Sequence, residues 1–393
     1  MPPPDRGALL SRLREVYPRE VERAGRIGLV RAPGRVNLIG EHTDYNDGWV
    51  LPAAIDLETW IAYAPSGDRR VELLVTSDGE RDGFDLDAIG PARGSWIDTV
   101  AGIAWALQED GVALRGVRGM VGTTIPIGSG LSSSAALQVA SAWAVTEDRP
   151  PIEPMQLALL ARRAENEYVG VRSGIMDQFA SAHGRTDAAL LLDCRSLEWE
   201  AVPLPLDEYA VVICDTRSPR RLETSEYNLR RAQCEEAVRV IAVHHPEVRA
   251  LRDVTPEMLA ANAEELDAVV GRRAEHVVHE NARVMAAVAA LRAGDMRTLG
   301  RLFTESHRSL GELYEVTSPE LDALVQIAAA MPGVAAARMT GAGFGGCTVN
   351  LVRHEAVGEL ADAVAAEYQR RIGRQPAVYS VNLAQAAGEL RHD

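Results

Sequence analysis

A chain of 393 residues with a formal net charge of −15 is longer than a single hydrophobic core usually organises, so two domains sharing one cleft are expected, 1–200 and 201–393. The acidic balance excludes nucleic acid and anionic membrane as partners, because both need a basic face to displace counterions. Histidine aside, every basic side chain is arginine, and the absence of lysine rules out a Walker P-loop, the protein-kinase strand lysine and Schiff-base chemistry.

In chain order, the opening MPPPDRGALL has neither the basic start nor the apolar run of a leader, and no apolar stretch reaches membrane-spanning length. Cys194, Cys214, Cys234 and Cys347 lie far apart without a CxxC pair, which fits reduced thiols in a cytoplasmic protein. From Ile27 to Ala64 the pattern predicts short antiparallel strands (GLVRA, RVNLI, WVLPAA, TWIAYA), separated by a Pro-Gly pair and the polar loop EHTDYNDG. Trp96 to Glu109 has helical periodicity, and MVGTTIPIG reads as a strand running through a glycine loop into the helix SSSAALQVASAWAVTE. Pro154 opens a helix that ends near Gly170, and a second helix is expected near Ser173. LLDCRSLEWEAVPL and EYAVVICDT read as strands, Tyr227 to Ala329 as helix, and the end as VAAARM, a glycine loop, GCTVNLV, a helix and AVYSVNL. The fold class expected is mixed α/β (α+β).

Three loops concentrate the chemistry. The segment from Ile127 to Ala136, IGSGLSSSAA, puts two glycines and three serines at a strand-to-helix junction, where backbone amides and a helix N-terminus suit a phosphate. A plain Gly/Ser turn with a serine N-cap is the alternative. Downstream, the spacing of Glu165 and Asp177 suits one carboxylate for a magnesium ion beside a serine hydroxyl and the other for an acceptor hydroxyl; a solvated helix-face charge is the alternative for Glu165, and a carboxylate stabilising a helix's first turn for Asp177. The segment from Ala32 to Asp47, APGRVNLIGEHTDYND, crowds polar groups behind an apolar strand. Glu41, His42 and Asp44 there suit vicinal sugar hydroxyls, a metal or a solvated turn, and Arg35 is expected across from Asp177. MTGAGFGGC, residues 339–347, reads as a glycine loop or a hairpin.

Together these segments resemble the galactokinase branch of the GHMP kinases, over nearly the whole chain and in the expected order. RAPGRVNLIGEHTDYNDGWVLPAAID resembles that branch's N-terminal signature, IGSGLSSSAA its phosphate loop and MTGAGFGGC its C-terminal glycine motif. The resemblance implies a two-domain α/β fold with the active site in the cleft between the domains, and a monomer using ATP, Mg2+ and galactose. It further implies that Glu41, His42, Thr43, Asp44, Gly174 and Tyr227 contact the sugar, with Arg35 and Asp177 flanking its anomeric hydroxyl. Gly128, Ser129, Gly130, Leu131, Ser132, Ser133 and Ser134 would surround the ATP phosphates, Trp96 would lie near the base, and Ser134 and Glu165 would ligate magnesium. Asp215, Arg217, Pro219, Ser173 and Ala342 depart from the branch's common pattern. A kinase with another sugar acceptor, or a silent galactose and ATP sensor, are the rival readings.

Overall fold

The computed structural model describes residues 6–147, 152–218 and 223–390; the departure at Pro219 and the opening residues 1–5 lie outside them. Gly28–Asn37 pairs antiparallel with Pro52–Pro65, and the six-stranded sheet continues through Val117–Thr123, Arg70–Val75 and Arg81–Asp85. Gly388–Glu389 closes its other edge beside Gly28–Asn37. The Pro33-Gly34 pair, expected to separate two strands, is instead a register shift inside one continuous strand. A bulge tolerates proline, which has no N–H for the ladder. Gly34 is required there because a Cβ would lie 2.6 Å from the Leu131 carbonyl oxygen.

Asp98–Glu109, Ser133–Val145, Pro154–Arg163 and Met176–His183 form the adjoining helices, with Ser133–Val145 and Met176–His183 packed on the first two long strands. Pro154–Arg163 passes directly into a π-turn, Ala164–Val169, that stops at Gly170 with φ 91°. The next helix begins at Met176 rather than at Ser173, so Ser173 and Gly174 stay in the loop that faces the cleft.

Four antiparallel strands make a second sheet in the order Val334–Thr340, Cys347–Arg353, Tyr209–Asp215, Ala377–Val381, covered by Pro319–Ala329 and Val357–Ile372. The long helix Ala268–Ala293 and its neighbour Met296–Glu312 stand between the two halves. One apolar cluster takes Val36, Leu38 and Leu51 from the first half together with Val284, Leu302 and Val349 from the second. The cleft is therefore held by a shared core. Among the described residues no helix is long and apolar enough to cross a membrane.

Candidate active site

Three loops from distant parts of the chain converge on a cavity of about 310 Å3, lined among others by Arg35, Asp44, Gly130, Ser134, Glu165, Asp177 and Tyr227. The glycine- and serine-rich loop of residues 127–136, expected to take a phosphate, and the C-terminal glycine loop touch: a Cβ on Gly341, whose φ is 84°, would lie 2.8 Å from the Gly130 carbonyl oxygen.

Asp177 sits in the first turn of Met176–His183 at the meeting point of these loops. Arg35 donates to its Oδ1 through Nε at 2.9 Å and approaches the same oxygen through Nη2 at 2.7 Å. Ser132 donates to Oδ2 at 2.6 Å. Arg35 is almost fully buried, while the Asp177 side chain keeps 30 % exposure toward the cleft. Arg35 also donates to the Gly130 carbonyl, which ties the carboxylate to the phosphate loop. Ser132 adopts the left-handed region, φ 64° and ψ 45°, at the start of Ser133–Val145, and its hydroxyl serves Asp177 instead of capping the helix. Such strain in a residue other than glycine persists only where its surroundings impose it.

The second carboxylate, Glu165, leaves the π-turn toward the cleft. It accepts from Ser173 Oγ at 3.0 Å and from the Gln178 amide, and Ser134 Oγ lies 3.4 Å away. Burial, and then Asp177, push its carboxyl up to about 7, with no arginine acting against them. An uncompensated carboxylate beside a serine hydroxyl and a phosphate loop fits a hard cation that keeps waters and phosphate oxygens as its other ligands. No cluster of three or more His, Cys, Asp or Glu side chains with metal-binding geometry occurs among the described residues.

On the opposite wall, burial and then Asp177 push the Asp44 carboxyl up to about 6. The close approach of the next loop explains Gly174, where a Cβ would lie 1.9 Å from Asp44 Oδ2. Glu41 is paired with Arg338 and accepts from the Gly341 amide at 3.1 Å; burial pushes its carboxyl up despite the guanidinium. His42, at φ 65°, was expected to bond sugar hydroxyls through its ring, but both nitrogens are engaged within the protein. The Ala342 carbonyl can only accept, so Nε2 carries the proton, and burial holds the ring neutral by lowering its pKa to about 3. Nδ1 then accepts from Tyr45 at 2.8 Å, Tyr45 from Tyr314 at 2.8 Å, and Tyr314 from the Cys234 thiol at 3.1 Å. His42 therefore presents a fixed ring packed against Tyr227, with centroids 5.6 Å apart, rather than a free donor.

Other expected residues stand apart from the cavity. Thr43 is fully buried and its hydroxyl donates to the Gly40 and Trp49 carbonyls, so it closes the loop on itself rather than facing the cleft. Leu131 buries its side chain in the core, leaving only its backbone near the loop, and Ser129 Oγ turns back to the Pro126 carbonyl at 2.6 Å. Trp96 packs against the core one turn before Thr99, which does line the cavity. Gly128 and Ser133 line it. Of the departures, Ser173 holds Glu165 and Ala342 holds His42, whereas Asp215 and Arg217 do not line the cavity. Gln178, Arg338, Glu280 and His276 escape sequence reasoning. Only Arg338, a lone charge in the apolar strand VAAARM, left a legible sign, since a buried charge demands a partner.

Fold and site together define a small-molecule kinase of the GHMP type. Residues 98–185 match the GHMP kinases N terminal domain and 287–370 the GHMP kinases C terminal model, while 14–65 match the galactokinase galactose-binding signature. The chain is 46% identical over 363 residues to a galactokinase of Roseiflexus sp. (strain RS-1), covering 92% of this chain and 93% of that one. A crystal structure of Lactococcus lactis galactokinase complexed with galactose superposes with a TM-score of 0.92 at 35% identity, over 98% of this chain and 99% of that one. Methanococcus jannaschii mevalonate kinase shares the fold alone, with a TM-score of 0.63 at 18% identity over 92% of this chain and 99% of that one. The chain belongs to the galactokinase family.

Proposed function

We propose that the chain transfers the γ-phosphate of ATP to the C1 hydroxyl of α-D-galactose, giving galactose 1-phosphate and ADP. The observation that carries this reading is the Asp177 carboxylate, held by Arg35 and Ser132 where the phosphate loop meets the signature loop. Phosphoryl transfer passes through a loose transition state in which alignment and charge neutralisation outweigh basicity. Asp177 aligns the C1 hydroxyl and takes its proton as the new O–P bond forms and the bond from the γ-phosphorus to the ADP oxygen breaks. Arg35 steadies the developing negative charge on the attacking oxygen. The amides of Gly128 and of Gly130 to Ser133, with the N-terminus of Ser133–Val145, receive the phosphates, whereas the Ser129 amide donates to the Pro126 carbonyl. Ser134 and Glu165 would hold Mg2+, which when bound would supply neutralisation of phosphate charge. Asp44 and Glu41, with Gly174, Tyr227 and the fixed ring of His42, enclose the sugar.

The family matches on either side of residue 200 support a two-domain division there, the acidic charge supports a monomer without nucleic-acid or membrane partners, and four cysteines far apart without a CxxC pair support a cytosolic setting. The test is ADP release with magnesium and galactose, glucose, N-acetylgalactosamine or arabinose, with the product analysed by phosphorus NMR. A galactose-dependent signal coupled to the anomeric proton is the expected result. Turnover with another sugar alone moves the substrate, and binding without turnover supports a sensor.

A further inference from the structure

The segment from Leu38 to Thr43 belongs to no helix or strand, so its buried backbone groups need partners from elsewhere. Side chains far along the chain supply them. Gly40 donates its amide to Glu280 Oε1 at 3.1 Å, the Leu38 carbonyl accepts from Arg338 Nη1 at 3.0 Å, and the Glu41 carbonyl accepts from His276 Nε2 at 3.2 Å. Glu280 is fully buried yet lines no part of the cavity. Its Oε1 also accepts from Ser306 Oγ at 2.5 Å, its Oε2 accepts from Arg283 Nε at 2.6 Å, and Arg338 Nη2 lies 3.8 Å from Oε1. Arg338 is fully buried as well, and its Nε and Nη2 make no hydrogen bond among the described residues. Its charge faces Glu41 and Glu280. Two guanidiniums, Arg283 and Arg338, thus balance two carboxylates, Glu41 and Glu280, all of them buried except the partly exposed Arg283.

We propose that Glu280 is a positioning residue for the sugar-holding loop, fixing the Gly40 amide directly and the Glu41 carboxylate through Arg338. A buried ion cluster is weak evidence of stability, because well-packed apolar side chains often serve as well or better; its established use is to specify one arrangement. Here the arrangement specified is that of Glu41, His42 and Asp44, whose side chains face the cleft. Removing the Glu280 charge leaves Arg283 and Arg338 to a single carboxylate, and Glu41 is drawn toward them and away from the sugar. The inference rests on the loop's assignment to the sugar.

Glu280→Gln keeps an acceptor for the Gly40 amide, drops the charge and sets an amide N–H donor in place of the oxygen that accepts from Arg283, while Ser306→Ala removes one donor from Oε1 and perturbs the fold less. Steady-state kinetics and the melting-temperature shift induced by each ligand are read for both variants. Glu280→Gln is expected to raise the galactose KM about tenfold, with kcat and the ATP KM within about twofold of the parent. Galactose should stabilise the variant less than the parent, and magnesium-ATP equally. Ser306→Ala is expected to shift the galactose KM in the same direction by about threefold. An unchanged galactose KM in folded Glu280→Gln overturns the proposal, as does a parallel loss of kcat and of affinity for both substrates. Should Glu280→Gln fail to fold, an unchanged galactose KM in Ser306→Ala overturns it alone. Asp44→Asn separates the two assignments. If it retains galactose affinity, the loop does not hold the sugar and the proposal falls with that reading; if it loses affinity while Glu280→Gln does not, only the role of Glu280 falls.

Discussion

Gly174 lacks a side chain because the carboxylate of Asp44 occupies the space one would take. Gly174→Ala is expected to displace Asp44 and raise the galactose KM about tenfold while leaving the ATP KM unchanged, as steady-state kinetics will report. Glu165 gives a prediction with a sign. Its carboxyl is raised from 4.5 to about 7, so the folded chain favours the protonated form. The stability this contributes is fully present below about pH 4.5 and is lost as pH rises through about 7. Glu165→Gln mimics the protonated form at every pH. In magnesium-free protein it should therefore gain on the order of 1 kcal/mol near pH 8, discounted for partial exposure, and nothing near pH 4.5. The same variant should lose the magnesium-dependent tightening of ATP binding, measured by calorimetry. Arg35, Asp177, Ser134 and Glu165 were singled out through the resemblance of their segments to the family's motifs, since spacing alone left a helix charge as the alternative for both carboxylates. The engagement of both His42 nitrogens was not legible, since their partners Tyr45 and Ala342 include one 300 residues away in sequence.

At the scale of elements, the start of Ser133–Val145 shows a helix terminus given over to a site. Ser132 takes a left-handed conformation and directs its hydroxyl to Asp177 rather than to the helix amides. Ser132→Gly relieves that backbone strain and adds unfolded-chain entropy in similar measure, so stability should stay within about 1 kcal/mol of the parent by chemical denaturation. Turnover should fall about tenfold, because Asp177 loses the donor that fixes one of its oxygens. Periodicity and turn residues located most elements, yet they broke the strand Gly28–Asn37 at Pro33-Gly34. Proline and glycine mark a bulge and a strand end with the same letters, and only the partner strand Pro52–Pro65 tells them apart. The strand Gly388–Glu389 has two residues and no periodicity to read.

Across the whole molecule, the end of the chain returns to its beginning. Gly388–Glu389 pairs with Gly28–Asn37, Leu383 bridges to Ile55, and Tyr63 donates to Glu389 at 3.0 Å. With one apolar cluster spanning both halves, calorimetry of the intact chain should give one cooperative transition, and residues 1–200 expressed alone should not fold. Two separate transitions would contradict the shared core. This long-range order is where sequence reading stops. Glu280 and His276 lie four residues apart on Ala268–Ala293 amid charges on several faces, and a buried face of that kind cannot be told from a solvated one by spacing. Their value to the site depends on contacts with Gly40 and Glu41, more than two hundred residues upstream.

The most direct measurement compares galactose-dependent ADP release by the parent protein and by Asp177→Asn, with magnesium present and binding of ATP and galactose measured separately. Turnover to galactose 1-phosphate is expected of the parent and a loss of at least about a hundredfold of the variant, with both ligands still bound. An Asp177→Asn protein that turns over like the parent, or a parent that binds both ligands without releasing ADP, would contradict that expectation.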